Sequence, residues 1–312
     1  MTTLVCKPLQ GIDFLSRTND ELSITGSTYT YGIKGPKILV TAGMHGDEVT
    51  SIGALWYLEK KIERETFKGE VSIIPCVNPS AVKASSRLIP IENSDVNRSF
   101  PGRHDGSLAE RIADTLVKLM NEYDVLIDVH TAGWCTPFII VDNTPDKELH
   151  NRIIQWVKTT KVIIVGEMGD SEAELQGLDK SWSAWVLSKE KSACTFELPG
   201  FHKLEHEFAE TGAEDLFTLI KNTEIVMKTE NESILTSDIL PTRVETYSNT
   251  AGIFESIKKP GDLINTGELI GWIKSLKGET SSEVLAKNKG IILALQPISA
   301  VQIGSWLVTI AS

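Results

Sequence analysis

Two histidines and two glutamates stand in this chain where a hydrolytic metal site would need them. His45 and Glu48 are three apart in HGDE, directly after the apolar run KILVTAG (37–43). Positions i and i+3 share a face once a segment turns helical, so both side chains can reach one ion. Gly43 and Gly46 allow the backbone to turn sharply at that point. Imidazole nitrogen and carboxylate oxygen are donors that Zn²⁺ favours, and catalytic zinc sites often use two His and one Glu beside a water. Taken alone, HxxE is weak, because a surface histidine beside a solvated glutamate has the same spacing. A third donor stands at His130, in DVHT at the end of the run 124–131. It follows His45 by 85 positions (130 − 45), so it must come from a different strand. Asp128, two residues earlier, shares a strand face with His130. It can accept the N–H of a ligand histidine and fix its tautomer.

The second group of candidates lies in a long segment rich in Ser, Pro, Asn and Gly, PSAVKASSRLIPIENSDVNRSFPGRHDG. A loop of that length inside a compact domain is usually functional or disordered. Asn97 and Arg98 are donors suited to a carboxylate, Arg98 in bidentate fashion, and Arg87 adds a second cation. Glu197, in FELPG, follows weakly polar and apolar residues at a strand end. Partial desolvation there would raise its pKa towards what a general base needs near neutral pH.

These residues need a scaffold that brings strand ends together. Between about 37 and 222, short apolar runs alternate with amphipathic stretches. Strands are expected at KILVTAG, VSIIPCVN, DVLIDVHT, FIIVD, KVIIVG and SACTFEL. Helices are expected at EVTSIGALWYLEKKIE, at SLAERIADTLVKLMNEY with a capping box at Ser107 and Glu110, and near 145–158, 180–190 and 204–222. This is the pattern of an α/β domain with a parallel or mixed sheet. After about Ser237 the character changes to short strands and turns (KKPGD, NTG, NKG), as in a small barrel-sandwich module. The expected organisation is an α/β domain over 1–236 and an all-β domain over 237–312.

The chain has 312 residues and a formal charge of −11 (31 basic against 42 acidic side chains), which argues against nucleic acid as the main partner. No apolar run approaches the roughly 20 residues of a membrane helix, and the first residues lack a charged segment followed by an apolar one. Cys6, Cys76, Cys135 and Cys194 stand far apart, as buried reduced thiols of a cytoplasmic protein would. Cys135, near His130, invites a Cys–His nucleophile, but neighbouring positions around a strand end do not orient a thiol on an imidazole. Trp182 and Trp185 suit the buried face of a helix, whereas Trp134 is placed to line a pocket. His202 and His206 are expected to face solvent.

The order HxxE, an NR-containing loop ending in FPG, a strand-borne DxHT and a strand-end Glu resembles the zinc carboxypeptidase superfamily. Within it the chain is most similar to the succinylglutamate desuccinylase/aspartoacylase family, through TAGMHGDEVTS, SSRLIPIENSDVNRSFPG, LIDVHTAG and TFELPG. The resemblance implies a zinc-carboxypeptidase-like mixed sheet flanked by helices, with a C-terminal barrel-sandwich domain. It implies one Zn²⁺ per chain on His45, Glu48 and His130, Glu197 as general base and acid, Arg87 supporting an oxyanion, and Asn97–Arg98 holding a substrate carboxylate. The expected activity is cleavage of an amide bond in an N-acyl amino acid or related small carboxylate. A metallocarboxypeptidase acting on short peptides is the alternative. A non-catalytic binding module would have lost ligands that are all present. No acceptor lysine sits in the turn where a lipoyl-type carrier would have one, and homo-oligomerisation is left open.

Overall fold

Continuous apolar strands are what a sheet covered by helices on both faces demands. The structure, a computed structural model, describes residues 4–15, 21–160, 162–166, 177–227 and 239–312. In chain order its first part contains β1 (Val5–Leu15), β2 (Glu21–Thr30), β3 (Lys37–Thr41), α1 (Val49–Ile62), β4 (Glu70–Ile74), α2 (Pro79–Ala84), α3 (Leu108–Met120) and β5 (Val125–Thr131). There follow β6 (Trp134–Cys135), β7 (Phe138–Ile140), α4 (Lys147–Val157), β8 (Ile163–Val165), α5 (Trp182–Leu187), β9 (Ser192–Leu198) and α6 (His206–Lys221). Eight strands form one sheet in the order β1-β2-β4-β3-β5-β9-β7-β8. β3 is parallel to β4 and β5, and β5 is parallel to β9, while β2 and β7 run antiparallel to their neighbours β4 and β9. The sheet is therefore mixed, as expected.

Every residue of β5 is buried, which explains its apolar run and makes its polar members, Asp128 and His130, conspicuous. α3 carries both bonds of the capping box: Ser107 accepts from Glu110 N, and the Glu110 side chain accepts from Ser107 N. Such caps contribute about 1 kcal/mol. Trp182 is fully buried and stacks on Phe100 at 4.6 Å, so it belongs to the core. His202 and His206 are exposed. The N-terminal pair β1–β2 has no counterpart in the expectations above, because its sequence lacks a contiguous apolar run.

The long segment after β4 is more ordered than its composition suggests. Pro79 opens α2 next to an Asn78 side-chain cap, Ile89 pairs with Ser94, and a 3-10 turn spans Val96–Arg98.

The C-terminal part contains β10 (Arg243–Tyr247), β11 (Gly252–Ser256), β12 (Leu263–Ile264), β13 (Leu269–Lys274), β14 (Thr280–Leu285), β15 (Gly290–Leu295), β16 (Ala300–Val301) and β17 (Trp306–Ala311). Two sheets, β10-β17-β15-β12 and β14-β13-β11-β16, enclose a core that includes Phe254, Ile270, Ile273, Ile292 and Leu307. The boundary expected at 236/237 lies outside the described residues. The two parts are joined by main chain. β6, immediately after the DVHT strand, pairs with β15 through Cys135–Ala294 and Trp134–Leu295. Beneath this pairing Cys135, Phe138, Ile140 and Val165 pack against Leu293, Ala294 and Ala311. Trp134 is thereby committed to the sheet and half exposed; it does not line the cavity of the candidate metal site but a second one, with Ile253, Gln296 and Pro297.

Candidate metal centre and its surroundings

β3, β5 and β9 are adjacent and parallel, so their C-terminal ends form one edge. Open α/β sheets build their sites at such an edge. The register sets Thr41 beside Asp128 and His130 beside Glu197. The turn after β3 carries His45 and Glu48. Gly46 there lies so close to α2 that an added Cβ would stand 2.0 Å from the Ala81 carbonyl, and Gly43 has φ +65°. Both positions require glycine.

The candidate ligands converge. One donor atom from each of His45, Glu48 and His130 lies within 4.8 Å of the others, and all three residues are buried. Nδ1 of His45 is 2.6 Å from Glu48 Oε1, and Nδ1 of His130 is 2.9 Å from Glu48 Oε2. The outer nitrogens face other carboxylates: His130 Nε2 stands 2.8 Å from Asp128 Oδ2, and His45 Nε2 stands 3.2 Å from Asp95 Oδ1. Thr41 Oγ1 donates to the second oxygen of Asp128 at 2.7 Å. With each Nε2–H given to its carboxylate, both Nδ1 lone pairs point at the Glu48 carboxylate. Lone pairs facing lone pairs repel unless a proton or a cation lies between them. A divalent ion satisfies all three groups at once, so the donor set fits Zn²⁺ in chemistry and number.

The charges around these donors keep Glu48 ionised and favour a proton on His130 that a bound cation would displace. Burial alone would raise the Glu48 carboxyl, but the two histidines hold it well below its usual range. Burial would lower His130, and Asp128 and Glu48 raise it instead. Asp95 is likewise held low against its burial by His45, Arg87 and Arg98. Glu197 has the opposite environment. Burial pushes its carboxyl up to about 7, with Glu48 adding to the rise and His130 opposing it. Its Oε2 is buried without a hydrogen-bond partner.

Arg87 Nη2 donates to Asp95 Oδ2 at 3.1 Å, and Nη1 reaches His45 Nδ1 at 3.3 Å. Asn97 Oδ1 accepts from Trp182 N at 2.8 Å, and Arg98 Nη1 donates to the Asn97 carbonyl at 2.8 Å. His45, Glu48, His130, Glu197, Arg87, Asn97 and Arg98 all line one cavity of about 500 Å³.

The catalytic-domain model of the succinylglutamate desuccinylase/aspartoacylase family matches residues 34–221, more than half of the chain. The chain belongs to this family. An N-alpha-acetyl-L-2,4-diaminobutyric acid deacetylase from Halomonas elongata is 27% identical over 287 residues, covering 89% of this chain and 82% of its own. A succinylglutamate desuccinylase from Pseudomonas syringae is 33% identical over 108 residues, about a third of either protein (31% of each). The product-bound ectoine utilization protein EutE (DoeB) from Ruegeria pomeroyi shares the fold with a TM-score of 0.82 at 23% identity, covering 100% of this chain and 96% of the other. A family structure from Rhodobacter sphaeroides gives 0.80 at 21% identity, covering 97% and 93%. The two structural likenesses extend over the C-terminal β part, beyond the matched catalytic domain.

Several residues in and around this cavity were not anticipated from the sequence. Asp95 plays towards His45 the part that Asp128 plays towards His130. Its signal was present in SDVNR, where Asp95 also caps the turn by accepting from Asn97 N at 2.8 Å. The β part contributes Arg243, Glu245, Gln296, Pro297, Ile298, Trp306 and Thr309 to the cavity wall, which no local motif announces.

Proposed function

We propose that this chain is a cytoplasmic zinc-dependent deacylase of N-acyl amino acids or related small carboxylates, with one Zn²⁺ held by His45, Glu48 and His130. The observation that carries this reading is the convergence of two Nδ1 atoms on the Glu48 carboxylate, each ring backed by its own aspartate, beside the unpartnered Glu197. Two neutral histidines and one carboxylate would leave a site of net charge +1 when the ion is present. When bound there, Zn²⁺ would supply Lewis-acid chemistry, lowering the pKa of a water and polarising an acyl carbonyl. Glu197 takes the proton of the attacking water and passes it to the leaving amine. Arg87 stabilises charge that grows on the carbonyl oxygen. Asn97 and Arg98 hold the carboxylate of the amino acid.

The cavity wall supplied by the β part supports small substrates over peptides, since Gln296, Pro297 and Ile298 line the same cavity as the candidate ligands. No described helix is long and apolar enough to cross a membrane. The test is an amine-release assay over N-acetyl and N-succinyl amino acids and C-terminally varied dipeptides, with and without chelator. Release from the N-acyl amino acids that stops on chelation and returns with Zn²⁺ is expected. Turnover that survives complete metal removal refutes the reading, and preference for dipeptides replaces it by the carboxypeptidase alternative.

A further inference from the structure

Among the described residues five hydroxyl groups line the cavity of the candidate ligands, and four of them are engaged. Ser183, in α5, donates to Oδ2 of the buried Asp142 at 2.6 Å, and Thr195, on β9, donates to Ser183 Oγ at 3.2 Å. Ser181 Oγ accepts from Ala184 N at 3.2 Å, and Thr309 Oγ1 accepts from Trp306 Nε1 at 3.0 Å. The fifth is Thr131, the last residue of β5. It is 6% exposed, and its Oγ1 has no hydrogen-bond partner among the described residues. Buried hydroxyls without a partner are uncommon, and each asks for a reason.

Thr131 stands beside the candidate ligands. It follows His130 directly, and its main-chain N–H donates to Glu48 Oε2 at 3.1 Å. Alternation along a strand turns its side chain away from that of His130. β5 ends here, however, and Thr131, Ala132 and Gly133 in succession all line the cavity, which therefore wraps over the end of the strand. In the reaction proposed above, the acyl oxygen faces Arg87 and the carboxylate of the amino acid faces Asn97 and Arg98. The N–H of the scissile amide still needs an acceptor. Guanidinium groups cannot accept. Asn97 Oδ1 is taken by Trp182 N at 2.8 Å, and Gln296 Oε1 by Ile298 N at 3.1 Å. Two buried acceptors next to Glu48 have no partner among the described residues, Thr131 Oγ1 and Asp47 Oδ1. Asp47 is engaged electrostatically: burial would lower the Arg87 pKa, and Asp95, Glu48 and Asp47 raise it instead. Thr131 has no such engagement.

We propose that Thr131 Oγ1 accepts the N–H of the scissile amide and so sets the nitrogen lone pair towards Glu197. This rests on the deacylase reading above. The oxygen of water joins the acyl carbon, and the electrons of the C–N bond go to nitrogen. The proton that Glu197 took from that water then goes to the lone pair, while the N–H held by Thr131 stays on the departing amine. The contact strengthens as the nitrogen gains positive character. It therefore acts more on the transition state than on the bound substrate. An ester has no N–H and gains nothing from the hydroxyl.

The experiment compares N-acetyl-L-alanine with O-acetyl-L-lactate, which differ only in N–H against O at the scissile bond, on the whole, zinc-loaded chain. If another N-acyl amino acid of the panel above is turned over faster, that compound and its own ester counterpart replace the pair. Thr131→Val, close to isosteric, should lower the amide-to-ester ratio of kcat/KM by about tenfold, chiefly through kcat, with zinc content unchanged. Thr131→Ser should keep the ratio within about threefold of wild type. Thr131→Ala, read by the same ratio, serves if the valine variant does not fold. A ratio that changes by less than about threefold on loss of the hydroxyl, whether both rates fall together or neither does, overturns the proposal. If Asp47→Asn lowers the ratio in its place, the N–H belongs to Asp47. Failure of wild type to hydrolyse any member of the panel overturns the deacylase reading instead. Calorimetric binding of the amide and the ester to wild type and Thr131→Val then decides the contact separately. A preference for the amide that the valine variant lacks supports it, and the same preference in both proteins overturns it.

Discussion

Replacing Asp128 by Asn should weaken zinc binding by about tenfold without dismantling the site. Asp128 is 1% exposed and makes two bonds, one from His130 Nε2 at 2.8 Å and one from Thr41 Oγ1 at 2.7 Å. An asparagine can keep its oxygen on His130 if its amide nitrogen turns to Thr41, whose hydroxyl can rotate to accept. The geometry survives and the charge is lost. Hydrogen bonds to charged groups contribute about 1.5–3 kcal/mol and neutral ones about 0.5–1.5, so the change removes about 1–1.5 kcal/mol. At 1.4 kcal/mol per decade this is about tenfold in affinity. Asp128→Ala leaves the His130 N–H buried and unmet, a loss of about 1–3 kcal/mol, and should cost about 10- to 100-fold. Competition with a chromophoric chelator measures both affinities, and thermal unfolding of the metal-free proteins separates binding from stability. If Asp128→Asn binds Zn²⁺ within twofold of wild type, the assignment of His130 as a ligand oriented by Asp128 is wrong.

Glu197→Gln should retain Zn²⁺ and lose about 10²–10⁴-fold in kcat, checked by metal content and steady-state rates on the same preparation. With Glu197 in the proposed role of base, its ionised form is the active one, so kcat/KM should rise as pH increases through its pKa. Burial and the charges around it set that near 7, and the charge of a bound cation moves the limb to lower pH. A profile whose acid limb persists in Glu197→Gln would assign the limb to another group. Asp95→Asn should weaken metal binding and also release Arg87, raising KM and lowering kcat together, which titration and kinetics of the variant would show. Leu293→Ala, at the seam between the two parts, should destabilise the chain by about 2–5 kcal/mol in denaturant unfolding.

What the sequence disclosed and what it withheld divide along physical lines. His45, Glu48, His130 and Glu197 stand at the ends of continuous apolar runs, and a parallel sheet must gather such ends on one edge, so order along the chain was enough. The capping box of α3 is a local pattern and is found where it was read. Asp95 was passed over because Asn97 and Arg98 beside it have the more evident chemistry, and because its link to His45 spans a loop whose path the composition does not determine. Asp142 looked like the polar end of a strand. Only the packing of α5 against β9 turns it into a buried acid. Trp134 lines a cavity, but not the one that holds the candidate ligands, for a related reason. A loop after a ligand histidine suggests a pocket, but its backbone is captured by a strand near the other end of the chain.

That capture bears on when the protein becomes complete. Cys135 pairs with Ala294, 159 positions later (294 − 135), so the segment leaving His130 finds its hydrogen-bonding partner only after those residues are made. Synthesis proceeds at about 5–20 residues per second. For several seconds a nascent chain holds every ligand, while the backbone beside His130 is an unpaired sheet edge. Such an edge invites the wrong strand. Contacts so distant in sequence are also slow to close. The residues that finish the site's surroundings are therefore translated well after the candidate ligands, and a chain that stops short of β15 would carry a full set of those ligands in a site without its outer wall.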